Sequence, residues 1–151
     1  MRLIALFAGI VLAGAFLGDT AKASCLIIGD SIGQDLSYSM RECRSTAIKN
    51  KSSAATVYTV APADVLIVSA GSNDWESPLL LANLKAIRAK ASGRVIWVEP
   101  SRICCRVAAD AVDTVAALHG DPVVPFASGR DGAHPVDNNK LAAAVRAQMR
   151  W

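Results

Sequence analysis

The 151-residue chain has few aromatic side chains and no strong excess of charge of either sign. Aromatic residues make up 5% of the sequence and charged residues 19%, and the net charge is +3. Basic residues nowhere form a cluster of five or more. This pattern argues against a dedicated nucleic-acid-binding protein or a polybasic membrane patch. Hydrophobic residues still reach 52%. The chain can therefore bury one core of ordinary domain size, built mostly from aliphatic side chains.

Part of this hydrophobicity lies in an N-terminal segment with the features of a secretory signal peptide. Arg2 supplies a positive start, residues 3–18 are apolar, and an Ala-Lys-Ala site ends at Ala23. Cleavage there would remove residues 1–23 and leave a single domain, residues 24–151. We therefore expect a secreted or periplasmic protein with no stable membrane insertion after cleavage.

The N-terminal sequence allows two other interpretations. The apolar run is short for a membrane-spanning helix, yet an uncleaved N-terminal anchor remains an alternative. A lipoprotein is disfavoured because Lys22 stands three residues before Cys25, where a lipoprotein signal needs small residues.

The rest of the chain alternates between buried-strand and helix patterns. Strands are predicted at 25–29, 63–70, 94–98 and 122–126, with a weak strand at 46–51; helices are predicted at 34–44, 77–91, 106–118 and 136–150, and residues 54–60 are ambiguous between the two. Such alternation predicts an α/β fold in which helices cover both faces of a five-stranded, mostly parallel sheet.

Three polar clusters follow predicted strands: Gly29–Gly33, Gly71–Asp74 and Asp131–His134. In an open parallel sheet, ligands bind beyond the carboxyl ends of the strands. The three clusters are far apart in sequence, but this architecture brings them together. They therefore predict a site at that edge of the sheet.

The first cluster offers Ser31 as a nucleophile. A serine hydroxyl is weak at neutral pH and needs a base within hydrogen-bonding distance. Ser31 lies where a strand gives way to a helix, so the free amides of the helix N-terminus can stabilise an oxyanion. The alternative is a purely structural helix cap, supplied by Ser31 or Asp30.

The third cluster offers the base. Asp131 precedes His134 by three residues, so a single turn can bring its carboxylate to the imidazole, as in a Ser-His-Asp triad. Taken alone, this pattern also fits an ordinary surface loop. His119 is the other histidine of the chain, and its position indicates the end of a helix.

The second cluster offers Asn73, whose side-chain amide can donate to a tetrahedral oxygen without adding charge. The alternative is an ordinary turn residue, because Asn after Gly-Ser is common in turns.

In combination, the three clusters resemble the motif blocks of the SGNH, or GDSL-type, hydrolase family, and the resemblance covers nearly the whole mature chain. It implies a flavodoxin-like three-layer α/β/α sandwich and ester hydrolysis through an acyl-enzyme. Ser31 would be the nucleophile, His134 the base and Asp131 the residue that orients it. The backbone amide of Ser31 and the side chain of Asn73 would form the oxyanion hole.

The chain departs from the family at its second block, where a glycine usually adds a third oxyanion donor. The best local match is 50–53, with Ser52 or Ser53 in place of glycine. A serine keeps its amide, so Ser52 is assigned to the oxyanion hole, although glycine's freedom at positive φ is lost. The chain also has no evident cap insertion. We therefore expect an open, shallow site suited to small acyl groups.

Four cysteines remain in the mature chain, and their number in an exported protein suggests disulfides. Cys25 starts the first strand and Cys43 lies near the end of the following predicted helix, so both belong to the sheet edge opposite the site. A Cys25–Cys43 bridge is expected. Cys104 and Cys105 could form a vicinal bridge, remain thiols or link two molecules. Their spacing does not suit zinc.

These observations predict an exported serine esterase for small, acetyl-like acyl esters, with an acylated carbohydrate as a candidate substrate. No cofactor, metal or nucleic-acid partner is expected, and the oligomeric state is left open. Two alternatives remain. The same triad could transfer the acyl group to a sugar hydroxyl, or the fold could be a non-enzymatic binding module with a degraded triad.

Overall fold

Five parallel strands form one sheet in the order β2-β1-β3-β4-β5. The computed structural model describes residues 24–149, so the predicted signal peptide, 1–23, lies outside the described residues. The strands are β1 (Cys25–Gly29), β2 (Arg44–Ser45), β3 (Val65–Ser69), β4 (Arg94–Val98) and β5 (Val123–Val124). This strand order is that of the flavodoxin-like doubly wound fold.

Five helices cover the two faces of this sheet in the described part of the chain. They are α1 (Ser31–Ser39), α2 (Ser53–Val57), α3 (Leu80–Lys90), α4 (Arg106–His119) and α5 (Asn138–Met149). Helices α1 and α5 pack on one face, and α3 and α4 pack on the other, with α2 against α3. The predicted three-layer α/β/α sandwich is therefore confirmed.

The three central strands are apolar on both faces because both faces are covered. Ile27, Ile67 and Ile96 are fully buried in the core under α1 and α5. Trp97, in the next position along β4, is fully buried in the other core. Because the strands are parallel, the residues that follow β1, β3 and β4 all lie at the same edge of the sheet. This edge holds the candidate site.

The first helix and the second strand differ from the prediction. Helix α1 begins at Ser31 rather than at 34, because the Asp30 carboxylate accepts from the amide of Ile32 and caps the helix. The helix ends at Ser39, and β2 is Arg44–Ser45, which pair with Leu26 and Ile27 of β1, rather than the predicted 46–51. The chain after β2 continues to run alongside β1, because the amide of Ile48 donates to Gly29 O at 2.9 Å.

The remaining differences are at element ends. Helix α3 begins at Leu80 instead of at the predicted Ser77, whose hydroxyl accepts from the amide of Leu79 in the turn before the helix. Strand β5 has two residues instead of five, and α5 begins two residues later than predicted. The ambiguous segment is helical as α2, whose N-cap is Ser52. The predicted Arg150 end of α5 lies outside the described residues.

Two disulfides connect the four cysteines. Cys25 and Cys43 are bonded at the edge of the sheet opposite the candidate site, as predicted, although Cys43 lies in the turn before β2 and not in a helix. Cys104 and Cys105 form a vicinal disulfide just before α4, one of the three arrangements that the sequence allows. Across residues 24–149, no helix is long and apolar enough to cross a membrane.

Candidate active site

The turn between β1 and α1 is fixed by contacts with the neighbouring end of β3. Gly29 has a φ of +121°, and a Cβ at this position would lie 1.6 Å from Ser69 O, so the close approach requires glycine. The amide of Asp30 donates to the same Ser69 oxygen at 2.9 Å. This turn brings Ser31 to the carboxyl edge of the sheet as the first residue of α1.

Asp30 holds the turn from inside the protein. Its side chain is fully buried, and Oδ1 accepts from the Ser69 hydroxyl at 2.7 Å and from the amide of Ile32 at 3.1 Å. Burial raises the pKa of Asp30, and the hydrogen bonds from Ser69 and the helix amides oppose that rise. Asp30 is therefore the structural cap of the helix, which leaves the hydroxyl of Ser31 available for chemistry.

Ser31 meets His134 although the two residues are 103 positions apart. Ser31 Oγ and His134 Nε2 are separated by 2.9 Å. His134 lies in the segment between β5 and α5, which reaches the same edge of the sheet. A serine hydroxyl within hydrogen-bonding distance of an imidazole is the arrangement that activates a nucleophilic serine.

Asp131 completes the row of side chains. Its Oδ2 lies 2.7 Å from His134 Nδ1, and its Oδ1 accepts from the backbone amides of Ala133 and His134, each at 3.0 Å. These two amides, followed by the imidazole, lower the pKa of Asp131 to about 2. The carboxylate is therefore ionised at neutral pH and fixed in orientation by the backbone beside it.

The charge of Asp131 determines the tautomer of a neutral His134. An ionised carboxylate can only accept, so His134 Nδ1 must carry the hydrogen that points at Asp131. Nε2 is then the acceptor, and Ser31 Oγ donates its hydrogen to it. This is the direction of proton transfer that a serine nucleophile and a histidine base require.

Asn73 lies in the loop after β3, next to the turn that carries Ser31. Its Nδ2 donates one hydrogen to Lys51 O at 3.1 Å, which fixes the side-chain amide. The second hydrogen of Nδ2 is not used in this bond and can be donated to another acceptor. The amide of Ser31 is the first of α1, a position that has no acceptor within the helix, and the Asp30 cap bonds to Ile32 instead. Both donors predicted for an oxyanion hole thus have hydrogens that are not used by these contacts.

The second motif block, residues 50–53, differs in structure from what its sequence predicts. Ser52 caps α2, with its hydroxyl accepting from the amide of Ala55 at 3.2 Å. Ser53 is fully buried, and its amide and hydroxyl both donate to Asp74. The amide of Ser53 is therefore engaged, and Ser52 remains the predicted third donor. Positive φ is found at Asn50, at +64°, rather than at either serine.

The other histidine lies away from the site. His119 is the last residue of α4, and Gly120 ends the helix in a left-handed conformation. Because α4 returns antiparallel to the strands, its end lies at the edge of the sheet opposite Ser31. His119 is thus the end of a helix, as its position in the sequence indicated.

Sequence reasoning missed a residue that contacts the loop of the histidine. Ser101, which follows β4, is 4% exposed, and its hydroxyl donates to Gly132 O at 2.5 Å. No motif in the sequence marks this serine. A weak signal was its position after a buried strand, at the same edge as the three polar clusters.

The site is open to solvent. The side chains of His134 and Asp131 are 41% and 54% exposed. A cavity of about 410 Å³ opens beside the loop, between the segments after β4 and β5, and its lining includes Ile103, Phe126 and Ser128. Within residues 24–149, no group of three or more His, Cys, Asp or Glu side chains is placed to hold a metal ion.

Comparisons with known proteins do not assign a function, so the proposal below rests on the geometry of the site. No protein-family model matches the chain, and no curated protein matches its sequence.

Proposed function

We propose that the protein is an exported serine ester hydrolase of the SGNH type that acts on small acyl esters. The observation that carries the proposal is the 2.9 Å contact between Ser31 Oγ and His134 Nε2. The contact of His134 with an ionised Asp131 supports the same proposal. A binding module with a degraded triad would have no need for this alignment of three side chains.

The proposed reaction has two steps. Ser31 Oγ attacks the acyl carbonyl while His134 Nε2 takes its proton, and the oxyanion is held by the amide of Ser31 and by Asn73, with Ser52 as the predicted third donor. His134 then gives the proton to the departing alcohol, which leaves an acyl-Ser31 ester. Water then attacks the acyl carbonyl while His134 Nε2 takes its proton; the bond from the acyl carbon to Ser31 Oγ breaks, His134 returns the proton to Oγ, and the carboxylic acid is released.

The exposed site supports a small acyl group on a large alcohol. His134 and Asp131 are each about half exposed, so a bulky leaving group can approach without entering a deep pocket. An acetylated carbohydrate combines these two features. The Cys25–Cys43 disulfide is compatible with an exported protein, because such bonds persist in oxidising compartments.

The test is hydrolysis of p-nitrophenyl esters of increasing chain length by the purified protein with its disulfides intact. We expect acetate to be cleaved faster than longer acyl groups, and we expect Ser31→Ala to abolish the activity. Ser37→Ala is the matched control, since its hydroxyl lies on the same helix and donates to Gln34 O. Equal rates in the parent and in Ser31→Ala would contradict the proposal.

A second assay addresses the alcohol. Release of acetate from an acetylated polysaccharide, absent in Ser31→Ala, would support a carbohydrate ester as the substrate. If the protein hydrolyses p-nitrophenyl acetate but releases no acetate from any acetylated glycan, the esterase proposal stands and the carbohydrate substrate is rejected.

A further inference from the structure

The loop that carries Asp131 and His134 is shaped by hydrogen bonds among its own residues, including those that the Asp131 carboxylate accepts from the amides of Ala133 and His134. We define the His134 loop as residues 128–135. Its ends pair as an antiparallel bridge between Ser128 and Pro135, and the amide of Gly129 donates to His134 O at 2.7 Å. These internal bonds fix the shape of the loop but not its place on the protein, so its position relative to Ser31 depends on contacts with other segments.

Ser101 provides such an anchor from the end of the adjacent strand. Its Oγ lies 2.5 Å from Ser128 Oγ and 2.5 Å from Gly132 O. Ser128 begins the His134 loop, and Gly132 lies between the aspartate and the histidine. One buried hydroxyl therefore holds the loop at two points.

The directions of these hydrogen bonds follow from the groups involved. Gly132 O is a carbonyl and can only accept, so Ser101 uses its single hydrogen there. The hydroxyl of Ser128 must then donate to Ser101 Oγ, and the amide of Ile103 also donates to it at 3.3 Å. The donor and both lone pairs of Ser101 are thus used, and an alanine would leave the Gly132 carbonyl without this partner.

Ser101 is itself held rigidly. The amide of Cys105 donates to Ser101 O at 2.9 Å, and Cys105 is bonded to Cys104 and buried against the core. Packing adds a second restraint on the loop, because a Cβ on Gly132 would lie 3.0 Å from Ile103 Cγ2. The short segment 101–105 is therefore a rigid surface against which Gly132 packs.

We propose that Ser101 is a positioning residue for His134, acting through Gly132 to keep the imidazole within reach of Ser31. This inference rests on the proposed function. Loss of the hydroxyl would let the His134 loop shift while Ser31 stays fixed by α1. A shift of about 1 Å in a catalytic group can cost on the order of a hundredfold in rate.

The test compares variants of Ser101 and Ser128 by kinetics and by NMR. We expect Ser101→Ala to lower kcat for p-nitrophenyl acetate by about tenfold to a hundredfold, with KM changed little, because substrate contacts remain. Ser128→Ala should lose less, since the Ser101–Gly132 bond remains. Ser101→Thr, which keeps the hydroxyl, should recover most of the activity.

Two controls separate positioning from general destabilisation. Ile87→Val removes a methyl from a fully buried side chain on α3, far from the His134 loop, and should lower stability without lowering kcat. The second control is the imidazole NMR signal of His134. The hydrogen on Nδ1 should be protected from exchange in the parent and in Ser101→Thr, and should exchange faster in Ser101→Ala.

The outcomes are distinguishable. An unchanged kcat and unchanged Nδ1 exchange in Ser101→Ala would overturn the inference, as would a loss of kcat that Ile87→Val reproduces. If Ser101→Ala does not fold, Ser101→Cys replaces it, because a thiol is only a weak donor to the Gly132 carbonyl; a lower kcat with faster Nδ1 exchange in Ser101→Cys supports positioning, and parent values for both overturn it. If the parent is no more active than Ser31→Ala, the proposed function fails, and the NMR comparison still decides whether Ser101 positions His134.

Discussion

Ser31 Oγ lies 2.9 Å from His134 Nε2, and the two residues reach this contact from opposite ends of the described chain. Ser31 is held by a buried cap at the end of β1, whereas His134 lies on a partly exposed loop after β5. The rigid member is the proposed nucleophile, and the base is carried by a segment whose position depends on a few hydrogen bonds. This difference determines where substitutions should have the largest effects.

The carboxylate of Asp131 is expected to be essential because it selects the tautomer of His134. Asp131→Asn should lower kcat by about 10⁴-fold, as expected when an amide replaces the triad carboxylate. Asp137→Asn is the matched control, because Asp137 accepts from the amides of Asn139 and Lys140 at the start of α5 and does not contact His134. The control should retain parental kcat. A similar loss in both variants would show that the effect is not specific to the imidazole contact.

Asn73 should affect the transition state more than substrate binding. Asn73→Ala removes a donor from the proposed oxyanion hole and should lower kcat by about 10²–10³-fold with little change in KM. Asn139→Ala provides the comparison, since the Asn139 side chain accepts from Ser39 Oγ, which lies at the opposite end of α1 from Ser31. An Asn73→Ala variant that raises KM and keeps kcat would assign this residue to binding.

The lowered pKa of Asp131 predicts a specific effect of acid on stability. The pKa is about 2 in the folded protein and 3.8 in the reference state, so the unfolded chain binds more protons between these values. The contribution of Asp131 is therefore fully present above 3.8 and is lost as the pH falls through about 2.

Urea unfolding of the parent and of Asp131→Asn across this range measures the effect. The difference in unfolding free energy between the two proteins should shrink as the pH falls. A difference that stays constant from neutral pH to about 2 would contradict the assignment. Taking the difference between the proteins cancels the titrating groups that do not contact Asp131, including the buried Asp30.

The two disulfides should contribute unequally to stability. The Cys25–Cys43 bond joins residues 18 positions apart, so replacing both by alanine should lower the free energy of unfolding by about 3 kcal/mol through loop entropy. The Cys104–Cys105 bond joins adjacent residues and closes almost no loop. Replacing that pair should cost less, mainly through the packing of Cys105. Equal losses in denaturant unfolding would contradict this account.

The parts of the fold that could be predicted are those with a strong local pattern. The apolar runs of β1, β3 and β4 identify buried parallel strands, and the strand-to-helix turn at Ser31 follows from its position after β1. β2 could not be located, because its two residues, Arg44 and Ser45, are exposed and carry no apolar pattern. Its pairing with β1 is determined by backbone contacts.

The same distinction applies to the site. Ser31, Asp131 and His134 could be predicted because they fall in polar clusters after strands, and the structure brings their side chains together. The roles of Asn73 and Ser52 stay predictions. Ser101 could not be found, since its contact with Gly132 joins two irregular segments 31 residues apart. Only the folded backbone brings these two segments together.

The most direct measurement of the central claim is covalent trapping of the nucleophile. The purified protein is incubated with a fluorophosphonate, and the intact mass and the modified peptide are determined. We expect a single adduct on Ser31, no adduct in Ser31→Ala, and greatly slowed labelling in His134→Ala, because the imidazole is needed to take the serine proton. An adduct on another residue, or labelling of Ser31 at the same rate without His134, would contradict the account.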